Sequence, residues 1–224
     1  MELTLSEELM LLALNDDDGD VIFSASIAIP FGLAGALLLE MIFRKNIELE
    51  DDKIKIGENH NFEKEIYADI AQMIKEEPDT KDLKFWIWKI QNKVADIKDS
   101  IVQRLIEKGI LTKKEGKMFW LIKYEKYPQM NPIPEIETRL AIRKVVLEGH
   151  DPDAKTLALI SLVHSCNLVD ELFTKDERKQ ARTIIKRIIE NEEVGKSVSK
   201  VFADTSIAIS GAVSAAAVTI NVNV

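Results

Sequence analysis

A run of 17 residues, IAIPFGLAGALLLEMIF from Ile27 to Phe43, is the most apolar stretch in the first half of the chain. Where it goes decides what the rest can build. A helix needs about 20 consecutive apolar residues to cross the hydrocarbon core of a bilayer. This run is shorter, and Pro30 and Glu40 interrupt it. A carboxylate near the middle of a membrane is costly. Pro30 suits a first helical turn, where its missing N–H is no loss. Arg44 and Lys45 put cations at the C-terminal end of the dipole, and Asn46 is the expected left-handed cap. The expected helix has about 15 residues, roughly 22 Å at 1.5 Å per residue. Leu33, Leu37, Leu38, Met41 and Ile42 leave it little polar face, so it reads as a core helix surrounded by protein.

The rest of the chain is able to surround it. With 224 residues, 46% of them hydrophobic and 30% charged, the composition is that of an ordinary globular protein. A net charge of -8 argues against nucleic-acid binding, which needs an electropositive footprint. The single cysteine, Cys166, excludes an internal disulfide. No secretory signal opens the chain, and a cytoplasmic location is expected.

Capping and turn signals divide the sequence. Thr4 and Glu7 form a capping box before Leu9, Leu11, Leu12 and Leu14. The NDDDGD stretch that follows fails the calcium-loop pattern, because Leu14 and Ala25 stand where the first and twelfth ligands belong. In IELEDDKIKI, a turn at Asp51-Asp52 aligns Ile47, Leu49, Ile54 and Ile56 on one face. That register sets Glu48 opposite Lys55 and Glu50 opposite Lys53. Helices are expected over 62–77, 80–108 and 135–148, and a second hairpin around Glu115-Gly116. A helix, a glycine and a hairpin in that order also suit a winged helix, but no arginine-rich recognition helix accompanies them. Asp151-Pro152 is read as cap and first residue of the next helix. Thr174 and Glu177 form a second capping box, ahead of a helix burying Ile184, Ile185, Ile188 and Ile189.

The expected fold class is mainly α, a single compact helical domain with small β-hairpins. It would span 1–204, with an uncharged tail at 205–224 that is packed or loosely ordered.

Catalytic signals are lacking. His60, His150 and His164 are scattered, and His164 and Cys166, two apart, point in different directions on a helix. No nucleophile elbow, zinc spacing or phosphate loop occurs, and Gly32-x-x-Gly35 lacks the lysine of a Walker motif. The chain is read as no enzyme, with no cofactor and no metal.

Five blocks in order carry a resemblance: LTLSEELMLLALNDDDG, GLAGALLLEMIFRKNIEL, IVQRLIEKGILT, TRLAIRKVVL and TLALISLVHSCNLVDELF. Together they resemble the Golgi phosphoprotein 3 family. The resemblance implies a mainly helical fold and a peripheral membrane adaptor that binds phosphatidylinositol 4-phosphate and holds the cytosolic tails of membrane proteins. It places the headgroup site at Phe23, Gly32, Ala34, Gly35, Arg139 and Arg143. The family's arginine between two glycines is replaced here by Ala34. Its tryptophan falls near Ser24 or Ala25, with Phe23 the nearest ring, and its second basic position falls on Ile142. The expected reading is a minimal member of the family, lacking its basic N-terminal extension. Anionic phospholipid surfaces are therefore the expected partner, with self-association through residues 110–124. The alternative is a protein-interaction module without lipid binding, in which Asp16, Asp17, Asp18 and Asp20 receive basic peptide tails.

Overall fold

The structure, a computed structural model, describes residues 2–15, 19–118, 122–190, and at the C-terminal end 205, 207, 209 and 211. It is mainly α with two small antiparallel sheets. Helices α1 (Leu5–Ala13) and α2 (Ile29–Phe43) form the centre. Around them run strands β1 (Ile47–Glu50) and β2 (Lys53–Ile56), helix α3 (Glu65–Glu76), strand β3 (Lys81–Asp82), and helices α4 (Leu83–Gln91) and α5 (Val94–Glu107). Strands β4 (Lys114–Met118) and β5 (Ile122–Lys126) follow. The chain closes with α6 (Ile133–Glu148), α7 (Ala154–Ser165), α8 (Val169–Leu172) and α9 (Arg178–Glu190).

The apolar run goes where its length predicts. Leu33, Leu37, Leu38 and Leu39 are fully buried, and α2 packs on α1, α4, α5 and α7. Among the described residues no helix is long and apolar enough to cross a membrane. Glu40 stays in this interior because it is fully engaged. It accepts the Ser6 N–H at 2.7 Å and the Tyr67 hydroxyl, as a buried carboxylate must. The α1 capping box forms, with Thr4 N–H donating to Glu7 at 2.9 Å. Arg104 of α5 and Lys108, which caps its C-terminal end, then clamp Glu7 at 3.2 and 2.7 Å. Burial raises the Glu7 carboxyl, yet the Lys108 hydrogen bond, the Thr4 N–H and the nearby cations outweigh it and hold it below the usual range.

The first hairpin has the expected register, Ile47↔Ile56, Glu48↔Lys55, Leu49↔Ile54 and Glu50↔Lys53. Asp51 and Asp52 both take positive φ, 48° and 61°, the two-residue turn whose twist matches the strands. A third strand, β3, pairs with β2; two residues carry no periodicity to reveal it.

Four expectations need correcting. The helix expected over 80–108 is two, α4 and α5, separated by a turn at Asn92-Lys93 in which Lys93 N–H bonds Ile90 at 2.9 Å. Asp153, not Asp151, caps α7, its carboxylate accepting the Thr156 N–H at 2.7 Å; the two candidates flank one proline. Lys45, not Asn46, takes the left-handed conformation after α2, at φ 57°. Asn46 is buried instead and donates to the Asn59 carbonyl at 2.8 Å. The second hairpin pairs Met118 with Ile122 and sets Gly116 opposite Tyr124, so Glu115 and Gly116 lie within a strand; residues 119–121 are outside the described residues.

Candidate functional site

The site is built where the chain enters α2. After α1, a bridge between Leu14 and Val21 closes the 15–20 loop. Gly19 has φ 70°, and a side chain there would meet the Tyr127 carbonyl carbon at 2.2 Å. The chain then makes a 3-10 turn at Phe23–Ala25, with the Ser26 hydroxyl donating to the Phe23 carbonyl at 2.8 Å. Ala25 is buried and anchors the turn, whereas Phe23 is 93% exposed.

One residue from the other half of the chain ties this turn to α6. Glu171 of α8 accepts the Ser24 hydroxyl at 3.3 Å with its carboxylate. Its backbone carbonyl accepts Arg139 Nη1 at 2.7 Å. Arg139 Nε bonds Glu135, one helical turn back, at 2.5 Å. Among the described residues these are the partners of the guanidinium, and the Arg139 side chain is 23% exposed. Phe23 and Arg139, 116 positions apart in sequence, therefore border one surface.

Arg143 lies one turn on, as the i, i+4 spacing predicts, but it is committed. Nη1 bonds the Leu172 carbonyl and Glu177 Oε2, each at 3.0 Å, and Nη2 bonds Glu177 Oε1 at 2.7 Å. Its guanidinium also lies 5.6 Å from the Phe173 ring centre. The hydrogen bond from Arg143, with the Thr174 N–H, holds the Glu177 carboxyl down at about 2. Ile142 is fully buried.

Gly32, Ala34 and Gly35 are not at this surface. Ala34 is fully buried. A Cβ on Gly32 would stand 2.2 Å from the Cys166 sulfur, and one on Gly35 2.6 Å from Ile209. These small residues let Cys166, at the end of α7, and Thr205 and Ile209 approach α2. Asp16, Asp17 and Asp18 lie outside the described residues. Asp20 is exposed and sits 3.4 Å from the Lys126 ammonium.

Chemically, the arrangement offers one exposed ring, one partly exposed guanidinium and an adjacent carboxylate. Among the described residues no cluster of three or more His, Cys, Asp or Glu could hold a metal ion. The Golgi phosphoprotein 3 (GPP34) family model matches residues 5–205. The chain belongs to that family.

Seen as a Golgi phosphoprotein 3 family member, the chain has residues at its site that sequence reasoning passed over. Glu171 was missed, because nothing local pairs position 171 with 24 or 139; Ser24 was marked only as a place where the family's tryptophan falls. Glu135 had a signal, its four-residue spacing to Arg139. Glu177 was recognised as a capping residue, and that role is real, with its carboxylate taking the Thr174 N–H at 2.9 Å. Its second role, as the counter-charge of Arg143, appears only when α6 and α9 come together.

Proposed function

We propose that this Golgi phosphoprotein 3 family member is a non-catalytic peripheral membrane adaptor that takes an anionic phospholipid headgroup between the Phe23 turn and Arg139. One observation carries the reading: the turn that holds a 93% exposed aromatic is tethered through Ser24 and Glu171 to the partly exposed guanidinium of Arg139. A phosphate accepts strongly from arginine, and an aromatic ring partitions into the membrane interface beside it. Arg143 supports the site through its field while it holds Glu177. Gly32, Ala34 and Gly35 act through packing, by fixing where α2 begins. Glu171 works against the ligand, since an approaching phosphate meets its carboxylate.

The adaptor's other side is proposed to be cytosolic tails of membrane proteins, with the acidic loop ending at Asp20 as the receiver of basic side chains. Reversing the charge of Asp20 should then weaken recovery of a basic tail peptide. Self-association through 110–124 completes the proposal.

The deciding experiment is co-sedimentation with phosphatidylcholine vesicles, alone or carrying phosphatidylserine or phosphatidylinositol 4-phosphate, across a salt series. The expected result is anionic-selective binding that weakens with salt. Arg139→Gln should abolish it, and Glu171→Gln should strengthen it. Equal binding to neutral and anionic vesicles, or to neither, overturns the reading.

A further inference from the structure

We propose that Lys64 and Arg104 hold one small inorganic anion, of the size and charge of chloride, where α1, α3 and α5 meet. The site shares no residue with the headgroup surface and does not rest on that reading.

Two buried carboxylates organise this junction, and both are engaged. Glu7 takes the Thr4 N–H and Lys108 on one oxygen and Arg104 Nε on the other. Glu40 takes the Ser6 N–H on one oxygen and the Tyr67 hydroxyl on the other. Arg104 Nη1 donates to the Ser100 hydroxyl at 3.0 Å. Lys64, at the start of α3, holds its ammonium 5.1 Å from the centre of the Tyr67 ring, and Arg44 stands 5.7 Å from the same ring. Two donors remain. Lys64 Nζ and Arg104 Nη2 are closed to solvent, and neither has a hydrogen-bond partner among the described residues. A buried donor without an acceptor is costly, and a charged one more so.

The two donors belong to one cluster of charges. Burial pushes the Lys64 ammonium below its ordinary range; the Glu40 and Glu7 charges oppose this, and those of Arg104 and Arg44 add to it. Arg104 also acts on the hydroxyl of Tyr67, whose ring Lys64 covers. Arg44 is balanced by Glu63 at 2.6 Å. Lys64, Arg104 and Lys108 then bring three positive charges to the two negative ones of Glu7 and Glu40. One positive charge is left over. A water molecule between Lys64 and Arg104 accepts hydrogen bonds but leaves that charge. A monovalent anion supplies the acceptor and cancels the charge as well, as a buried ion requires. The closure of both donors to solvent selects a small anion over a phosphate ester. Bound there, the anion ties the start of α3 to α5 beside the Glu40 network.

The test is thermal melting of the full chain while sodium gluconate is exchanged for sodium chloride at fixed ionic strength, which keeps general screening constant. The parent is compared with Lys64→Met and with Lys84→Met, which removes an exposed lysine of α4. The chloride NMR linewidth, recorded with the folded parent, reads binding without any substitution. The expected result is a saturating rise in Tm, roughly 3–6 °C at about ten times the dissociation constant. Lys84→Met should keep this rise and Lys64→Met should lose it. Arg104→Lys keeps the charge beside Glu7 but loses Nη2, and should move the chloride midpoint up about tenfold. This second variant locates the site even if Lys64→Met does not fold. A parent whose Tm and chloride linewidth ignore the exchange overturns the proposal and leaves Lys64 to Glu7 and Glu40 alone. A chloride response unchanged in Lys64→Met or in Arg104→Lys places the anion elsewhere and overturns it as well.

Discussion

Tyr67 donates its phenolic hydrogen to Glu40 in the centre of the protein, and the other oxygen of the same carboxylate takes the Ser6 N–H. One acid thus joins the start of α1, the interior of α2 and the first turn of α3. Burial, with the Glu40 charge and hydrogen bond adding to it, pushes the Tyr67 hydroxyl well above its ordinary range.

Removing this acid is expected to cost more than a surface carboxylate would. Glu40→Ala strands a buried hydroxyl and a buried N–H, and should destabilise the fold by ~3 kcal/mol, since each unsatisfied group costs about 1–3 kcal/mol. Tyr67→Phe leaves the Ser6 bond intact and should cost less. Chemical denaturation of both variants checks the order. A Glu40→Ala protein as stable as the parent would show that the network contributes nothing net.

Gly32 and Cys166 should behave as a coupled pair. Gly32→Ala places a methyl group against the Cys166 sulfur, 2.2 Å away before relaxation, and overpacking of this kind costs about 1–3 kcal/mol. Cys166→Ala removes the sulfur and should rescue much of that loss. The reading is a double-mutant cycle, whose interaction energy should be well outside additivity. Additive losses would place the strain elsewhere.

Acid should release the Arg143–Glu177 clamp. Folding favours the charged form of Glu177, whose carboxyl is held at about 2 against an ordinary 4.5. The stabilisation is therefore present in full above pH 4.5 and is lost as pH falls toward 2. Glu177→Gln should melt earlier than the parent at neutral pH, and the two melting curves should converge on acidification through that window. The clamp is partly exposed, so added salt should narrow the neutral-pH difference as well. A gap that does not change with pH would mean that the glutamate acts through shape alone.

Cys166 should be silent to alkylation in the folded protein. Burial pushes its thiol up to about 12, so little thiolate exists at neutral pH and no reagent reaches it. Iodoacetamide labelling followed by mass spectrometry should be slow in native buffer and fast in guanidinium. Rapid native labelling would reveal an opening of α7 away from α2.

The local parts of this fold were legible because their causes are local. The Asp51-Asp52 turn fixes its hairpin register through charge pairing and strand twist, both written within ten residues. The Thr4–Glu7 and Thr174–Glu177 boxes announce their helices for the same reason. The break between α4 and α5 was hidden, because the residues around Asn92-Lys93 include no glycine or proline and the apolar period continues past them. The site was half legible. Arg139 and Arg143 were found on one face, but α6 has two apolar sides, and hydrophobic spacing does not say which meets the core. The link between Ser24 and Glu171 was beyond reach, since they become neighbours only through packing. The glycines were singled out correctly as places of close approach, but what approaches Gly32 is a cysteine 134 positions away.

Gly19 carries one more consequence. Its backbone is pressed against the main chain at Tyr127-Pro128, where the strand leaving the second hairpin ends, and Phe23 follows four residues later. The distance between the base of the Phe23 turn, at Gly19, and that strand is thus set by main-chain contact. Sequence drift on either segment leaves this spacing unchanged as long as position 19 remains glycine. One residue without a side chain acts as the gauge for both.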